Sequence, residues 1–349
     1  MCYIDRQCPG FIMSILILLR KIIILPEQNL CKSQRRLDGY TVIITGSNAG
    51  IGKETALDLY RRGAKIIMAC RDIKKAEMAK EDIEKEADLI KVGNEKQGEL
   101  VKGSLILEQL DLCSLKSIQD FSHRVLEKEP RIQILINNAG VMMCPEGRTE
   151  DGFETQMGSN HIGHAYLTLL LLPRLIKSAP SRIICLSSLL HEKNDVAFDD
   201  MNFEKTPYNA YVAYCRSKAA NVLFARALAL KLKEHNMTGV TTYSVHPGVI
   251  STGIARHYDQ TMGYGTSWLF NRVLSWFIKS PRCGAQTTIY CAVDEACANE
   301  TGLYYSDCAV KTPSKQCRSD EEAEKLWAVT VELLKSKLPD YNPFVVEGN

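Results

Sequence analysis

None of the thirteen cysteines forms a CxxC pair or a Cys/His cluster with zinc spacing, so no metal site is expected. The cysteine count is odd, and Cys70, Cys113 and Cys185 lie in or at the ends of apolar runs. That usage suits small buried side chains in a reducing compartment better than a disulfide framework. The chain also lacks a basic stripe. Its 43 Lys and Arg are interspersed with 41 Asp and Glu, which argues against nucleic acid as a partner. A clean membrane span is missing too: Phe11 to Leu25 is apolar but interrupted by Ser14, Arg20 and Lys21, short of the ~20 residues a spanning helix needs. No small-residue cleavage site follows it. The leader is therefore either a membrane anchor or an untidy soluble extension. In the first case Lys32, Arg35 and Arg36 favour a cytoplasmic catalytic domain, on a membrane such as the endoplasmic reticulum; in the second the protein is cytoplasmic. The sequons at Asn236 and Asn299 matter only in a lumenal orientation.

No internal repeat or low-complexity tract appears in the 349 residues, and from Tyr40 short apolar runs alternate with segments of helical period. Strands are expected near 40–45, 65–70, 105–110, 132–137, 181–187, 240–245 and 302–306. The pattern predicts one α/β domain, a Rossmann-type doubly wound seven-stranded parallel sheet with helices on both faces. The expected division is a leader at 1–37, a catalytic domain at 38–335 and a tail at 336–349. Residues 87–104 are polar and glycine-punctuated, as in a surface excursion. Residues 249–281 carry Trp268, Leu269, Phe270, Leu274, Trp276 and Phe277, read either as core packing or as a lipophilic substrate lid.

The run Thr41–Ile44 enters Thr45-Gly46-Ser47-Asn48-Ala49-Gly50-Ile51-Gly52 and then a helical segment. Strand, glycine turn and helix in that order bring backbone N–H groups and a helix N-terminus to a pyrophosphate. About 20 residues further on, the second strand ends in Arg71, with no acid at Met68, Ala69 or Cys70. A cation there favours the 2′-phosphate of NADP(H) over the hydroxyl of NAD. Pairing of Arg71 with Asp72 is the bland alternative, and Lys53 is a candidate second cation. Asp111-Leu112 closes the third strand, where Asp111 can hold an adenine edge or cap the following helix. Asn137 to Gly140 ends the fourth, either bordering a cofactor or bracing the sheet.

Tyr214 and Lys218 stand at i and i+4 of a helical segment and share one face. An ammonium at ~4 Å in an effective dielectric of ~20 contributes ~4 kcal/mol towards ionising a phenol, which suits general acid–base work. Ser187-Ser188 ends the fifth strand, and alternation lets only one of the two face a site there. Asn160 is a polar residue in an otherwise apolar helix, and His161 and His164 beside it read as structural histidines.

These segments, with Pro247-Gly248, resemble in order the motifs of the short-chain dehydrogenases/reductases over residues 38–335. The wording at 69–72, 160–164, 213–218 and 305–308 resembles the NADP-preferring retinol dehydrogenase branch. The resemblance implies that Tyr214 exchanges the substrate proton, Lys218 binds the nicotinamide ribose, Ser188 holds the carbonyl and Asn160 anchors a relay water. It also implies cofactor contacts from Gly46, Ser47, Asn48, Gly50, Ile51, Gly52, Arg71, Asp111, Leu112, Asn138, Ala139 and Gly140, and from Tyr214, Lys218, Pro247 and Gly248. The substrate would be a lipophilic alcohol or carbonyl, retinoid-like or alternatively a steroid or general carbonyl. A membrane surface and a second copy of the chain are the other candidate partners. Departures are the long Ser188–Tyr214 interval, the 87–104 excursion and the broken apolar leader. Competing readings are an extended-type epimerase or dehydratase, for which little chain remains after the sixth strand, and a non-catalytic NADP-binding or membrane-tethered protein.

Overall fold

In a computed structural model, residues 30–89, 102–248 and 280–342 are described. The leader at 11–25, most of the 87–104 excursion and the aromatic residues of 268–277 lie outside them.

The first three strands, β1 (Thr41–Thr45), β2 (Lys65–Cys70) and β3 (Ser104–Gln109), step outward in one direction. The chain then returns to lay β4 (Ile134–Asn137) against the other edge of β1, and β5 (Ser181–Leu186), β6 (Val240–His246) and β7 (Leu303–Ser306) continue from there. Val42 accordingly pairs with Ile66 on one side and Ile134 on the other, both in parallel. This reversal between β1 and β4 opens a crevice at the strands' carboxyl ends, where open α/β sheets take ligands. All seven expected strands are present. An eighth, the two-residue β8 (Ala309–Val310), adds an antiparallel edge too short to carry a periodicity signal.

Because successive strand residues point to opposite faces, the sheet has two cores. Ile43, Ile67, Leu135 and Ile183 pack with α3 (Leu115–Lys128), α4 (Gly163–Lys177), α5 (Ala210–Glu234) and α7 (Asp320–Lys337). Val42, Ile44, Ile136 and Ile184 face α1 (Gly50–Arg61), α2 (Ile73–Leu89) and α6 (Pro281–Val293). Local chemistry fixes the helix starts: Ser114 caps α3, Asn209 caps α5, Ser280 caps α6 ahead of Pro281, and Ser319 caps α7 ahead of three acids. No described helix is long and apolar enough to cross a membrane.

The packed unit extends beyond 38–335 at both ends. Leu37 is fully buried, Arg62 donates to the carbonyls of Ser33 and Arg35, and Tyr341 meets Tyr166 edge-on at 5.3 Å.

Candidate active site

A groove of about 430 Å³ lies at the β1/β4 reversal, lined by the turn after β1 and by the ends of β2, β3 and β4. The turn after β1 requires its glycines. Gly46 has φ +65°, and a Cβ there would stand 2.9 Å from the Cβ of Ala139; at Gly52 a Cβ would lie 2.5 Å from both Asn138 Nδ2 and the Gly46 carbonyl. Ala49, at the N-cap of α1, makes no side-chain cap bond, unlike the Ser and Asn caps above. The first-turn N–H groups are thus left for a ligand, and anions are favoured there. Close backbone approach, an uncapped helix start and a cation at the far end suit a phosphorylated dinucleotide.

Of the predicted cofactor contacts, Gly46, Asn48, Gly50, Ile51, Gly52, Arg71, Asp111, Leu112, Asn138, Ala139 and Gly140 line the groove. Ser47 is fully buried and donates to the Ile44 carbonyl, so only its backbone belongs to the turn. At the cation end Arg71 is exposed, and Asp72 is held by Lys75, whose amide donates at 3.1 Å and whose ammonium lies 3.2 Å away. Lys53, the candidate second cation, is outside the groove lining and pairs with Asp82 at 2.7 Å, bridging α1 to α2. Asp111 accepts from the Cys113 amide in a local turn, while the cap of α3 falls to Ser114. Asn137 and Asn138 do brace the sheet, through Thr168 and through the Thr45 and Gly46 carbonyls. The groove also uses Lys75, Cys113, Val141 and Ser159, which carry no sequence signature.

At the other end, Gly158–Ile162 wind as one π turn leading into α4, a distortion that recurs at functional sites. Asn160, fully buried on that turn, accepts from the Val141 amide at 2.8 Å and donates to the Val141 carbonyl and to Ser217 Oγ. Lys218 is buried on α5, donates to the Leu186 carbonyl at 3.1 Å and lies 5.8 Å from the Tyr214 ring centre. Burial pushes its ammonium down to about 8. Gly140 closes the space between: a Cβ there would stand 3.2 Å from Asn160 Oδ1 and 3.4 Å from Lys218 Nζ. Tyr214 packs with Met142 and Met143, flanked by Leu190, Ala210 and Tyr211.

The two serines after β5 diverge. Ser187 is buried, whereas Ser188 is half-buried with its hydroxyl accepting from the Leu190 amide. None of the long interval from Ser188 to Tyr214 lines the groove, and its middle packs elsewhere. His191 bridges the Ser188 carbonyl and the Ser314 amide, Val196 meets Gln316, and Tyr208 donates to the Cys144 carbonyl. Leu189 donates to His246 at the end of β6, and Pro247 and Gly248 follow, half-buried and outside the groove lining.

Comparison with known proteins agrees with this architecture. Residues 40–263 match the family described as short chain dehydrogenase. Retinol dehydrogenase 13 of Homo sapiens is 44% identical over 309 residues, 88% of each chain. Retinol dehydrogenase 14 of Homo sapiens is 43% identical over 294 residues, 84% of this chain and 86% of its own. Among solved structures, an uncharacterised protein from Mycobacterium paratuberculosis is 29% identical with a TM-score of 0.68, covering 88% of this chain and 98% of its own.

Proposed function

The chain belongs to the short-chain dehydrogenases, and from that premise we propose that it is an NADP(H)-dependent oxidoreductase interconverting a lipophilic alcohol and its carbonyl, with retinoids as the substrate class. One observation carries the reading: a single groove runs from the exposed guanidinium of Arg71 to Gly140, and behind Gly140, outside the groove lining, stands the buried ammonium of Lys218 one helical turn from Tyr214. Bound nicotinamide supplies or takes the hydride. The Tyr214 hydroxyl gives the proton to the substrate oxygen in reduction and takes it in oxidation. Lys218, charged below about pH 8, stabilises the phenolate and meets the ribose. Ser188, half-buried at the end of β5, holds the substrate oxygen. Asn160 has both amide hydrogens engaged, so its side chain clamps Val141 beside the site. Arg71 meets the 2′-phosphate.

The substrate class rests on the apolar wall of Met142, Met143, Leu190 and Tyr211 beside Tyr214, and on the names of the relatives. A steroid or general carbonyl would use the same chemistry. We place the catalytic unit at 31–342, following the packing of Leu37 and Tyr341, with residues 11–25 as the attachment to a membrane surface.

The test is a panel of retinoid, steroid and short polar carbonyls and alcohols with NADPH and NADH, in wild type and Tyr214→Phe. Wild type should favour the lipophilic carbonyls with NADPH. Tyr214→Phe should bind NADPH and lose at least ~100-fold in turnover. No turnover on any substrate would favour the non-catalytic alternative.

A further inference from the structure

We propose that His164 is a positioning residue joining the floor of the cofactor groove to the helical turn that carries Tyr214 and Lys218. The inference rests on the functional reading above. His164 is nearly fully buried, with both ring nitrogens engaged. Its Nδ1 lies 3.0 Å from the Asn160 carbonyl, which can only accept, so Nδ1 carries the hydrogen. Burial, reinforced by the Lys218 charge and partly opposed by that hydrogen bond, brings its pKa down to about 4 and keeps the ring neutral. Nε2 is then an acceptor, and it takes the hydroxyl hydrogen of Thr45 at 2.9 Å.

Thr45, fully buried at the end of β1, accepts from the amides of Asn138 and Ala139, each at 2.9 Å, and its one hydrogen goes to His164 at 2.9 Å in preference to the Ile136 carbonyl at 3.4 Å. Asn138 and Ala139 line the groove. On the far side, Asn160 donates to Ser217 Oγ at 3.0 Å, and Ser217 donates to the Tyr214 carbonyl at 2.8 Å. A chain of hydrogen bonds therefore runs from the groove floor through Thr45, the imidazole, Asn160 and Ser217 to the backbone of Tyr214. The links from Thr45 to Tyr214 are buried, so a missing partner leaves an unsatisfied polar group beside the site. Through this line the place of the β4 turn, set by the cofactor, and the place of the proton donor are fixed together.

The test uses the full chain and three variants, His164→Asn, Thr45→Val and Thr45→Ser, with the NADPH Kd from fluorescence titration and kcat on a retinoid carbonyl. His164→Asn and Thr45→Val should each weaken NADPH about 3- to 10-fold and lower kcat about 10-fold. Their double variant should be far less impaired than the product of the singles, because both break one line. Thr45→Ser keeps the hydroxyl and should retain both parameters. Folded variants with Kd and kcat within twofold of wild type, or effects that multiply, would overturn the proposal. Should the variants fail to fold, ¹⁵N-histidine NMR of wild type decides. His164 should remain the neutral Nδ1–H form from pH 8 to 5, with its Nε2 signal moving on NADPH addition. An imidazole that titrates near pH 6.5, or one blind to NADPH, overturns the proposal. A wild type that reduces no carbonyl overturns the functional reading, and this inference with it.

Discussion

The Ser187 hydroxyl donates to the Lys218 carbonyl at 2.7 Å, whereas Ser188, one residue on, is half-buried at the end of β5 and its hydroxyl accepts from the Leu190 amide. Neighbouring serines thus divide into a buried brace for α5 and a half-buried residue that the proposed function assigns to the substrate oxygen. Ser188→Ala should keep its NADPH affinity and lose at most the ~1 kcal/mol of one cap bond to the Leu190 amide, but lose ~100-fold or more in kcat, the scale for removing an oxyanion donor. Ser187→Ala should instead lose ~1–2 kcal/mol of stability, with turnover per folded molecule within a few-fold of wild type. Thermal melts and steady-state kinetics on both variants check the division. Exchanged phenotypes would mean that the serine is misassigned.

Arg71 stands exposed in the groove, where the proposed function puts the 2′-phosphate, while Asp72 is occupied by Lys75. Charge-assisted hydrogen bonds contribute ~1.5–3 kcal/mol, so Arg71→Ala should raise the KM for NADPH by about 10- to 150-fold and leave NADH almost unchanged. Lys53→Ala should affect neither cofactor, because that ammonium is paired with Asp82 on the helix flank. Measuring kcat/KM for both cofactors in the three proteins tests this. Equal weakening of NADPH and NADH by Arg71→Ala would make the guanidinium a structural group.

The ammonium of Lys218 has its pKa lowered to about 8 by burial, so the free enzyme carries this cation below that pH and loses it above. In carbonyl reduction, kcat/KM for NADPH reports the free enzyme and should fall about tenfold per pH unit above about 8. Lys218→Arg, if folded, should remove that decline because a guanidinium stays charged. A wild-type profile flat to pH 9.5 would take Lys218 out of the proton-transfer machinery.

Much of this was legible in the chain because it is encoded locally. Thr41–Ile44 followed by Gly46, Gly50 and Gly52 specifies strand, turn and helix within a dozen residues, and Tyr214 and Lys218 need only helical period to share a face. What was not legible depends on side chains meeting across the fold. Lys53 has the right charge near the right turn, yet Asp82 on α2 takes it. Ser47 sits inside the glycine motif, yet its hydroxyl turns inward to Ile44. His164 reads as a filled core position, and only the convergence of β1, β4 and the π turn shows which atoms it joins. The two-residue β8 is shorter than any periodicity can register.

Three buried histidines should make the fold acid-sensitive at a pH where most carboxylates are still ionised. Burial lowers His161 to about 3 and His164 to about 4, and it lowers His191 as well. In the unfolded chain each returns to about 6.5. Between the two values the unfolded state binds more protons than the native state. The stability these neutral rings confer is therefore complete above about pH 6.5 and drains away as pH falls towards 4. The limiting slope is ~1.4 kcal/mol per pH unit for each histidine, so falling from pH 7 to 5 should cost several kcal/mol in total. Two of the rings face partners that suit only the neutral form: His191 Nε2 accepts from the Ser314 amide and His164 Nε2 from Thr45, bonds that an imidazolium cannot keep. Urea unfolding midpoints at pH 7, 6 and 5 measure the effect, and His164→Asn, if folded, should flatten the slope by about one proton. Midpoints that stay level from pH 7 to 5 would show that these rings titrate alike in the native and unfolded states, removing the basis for a neutral imidazole at His164.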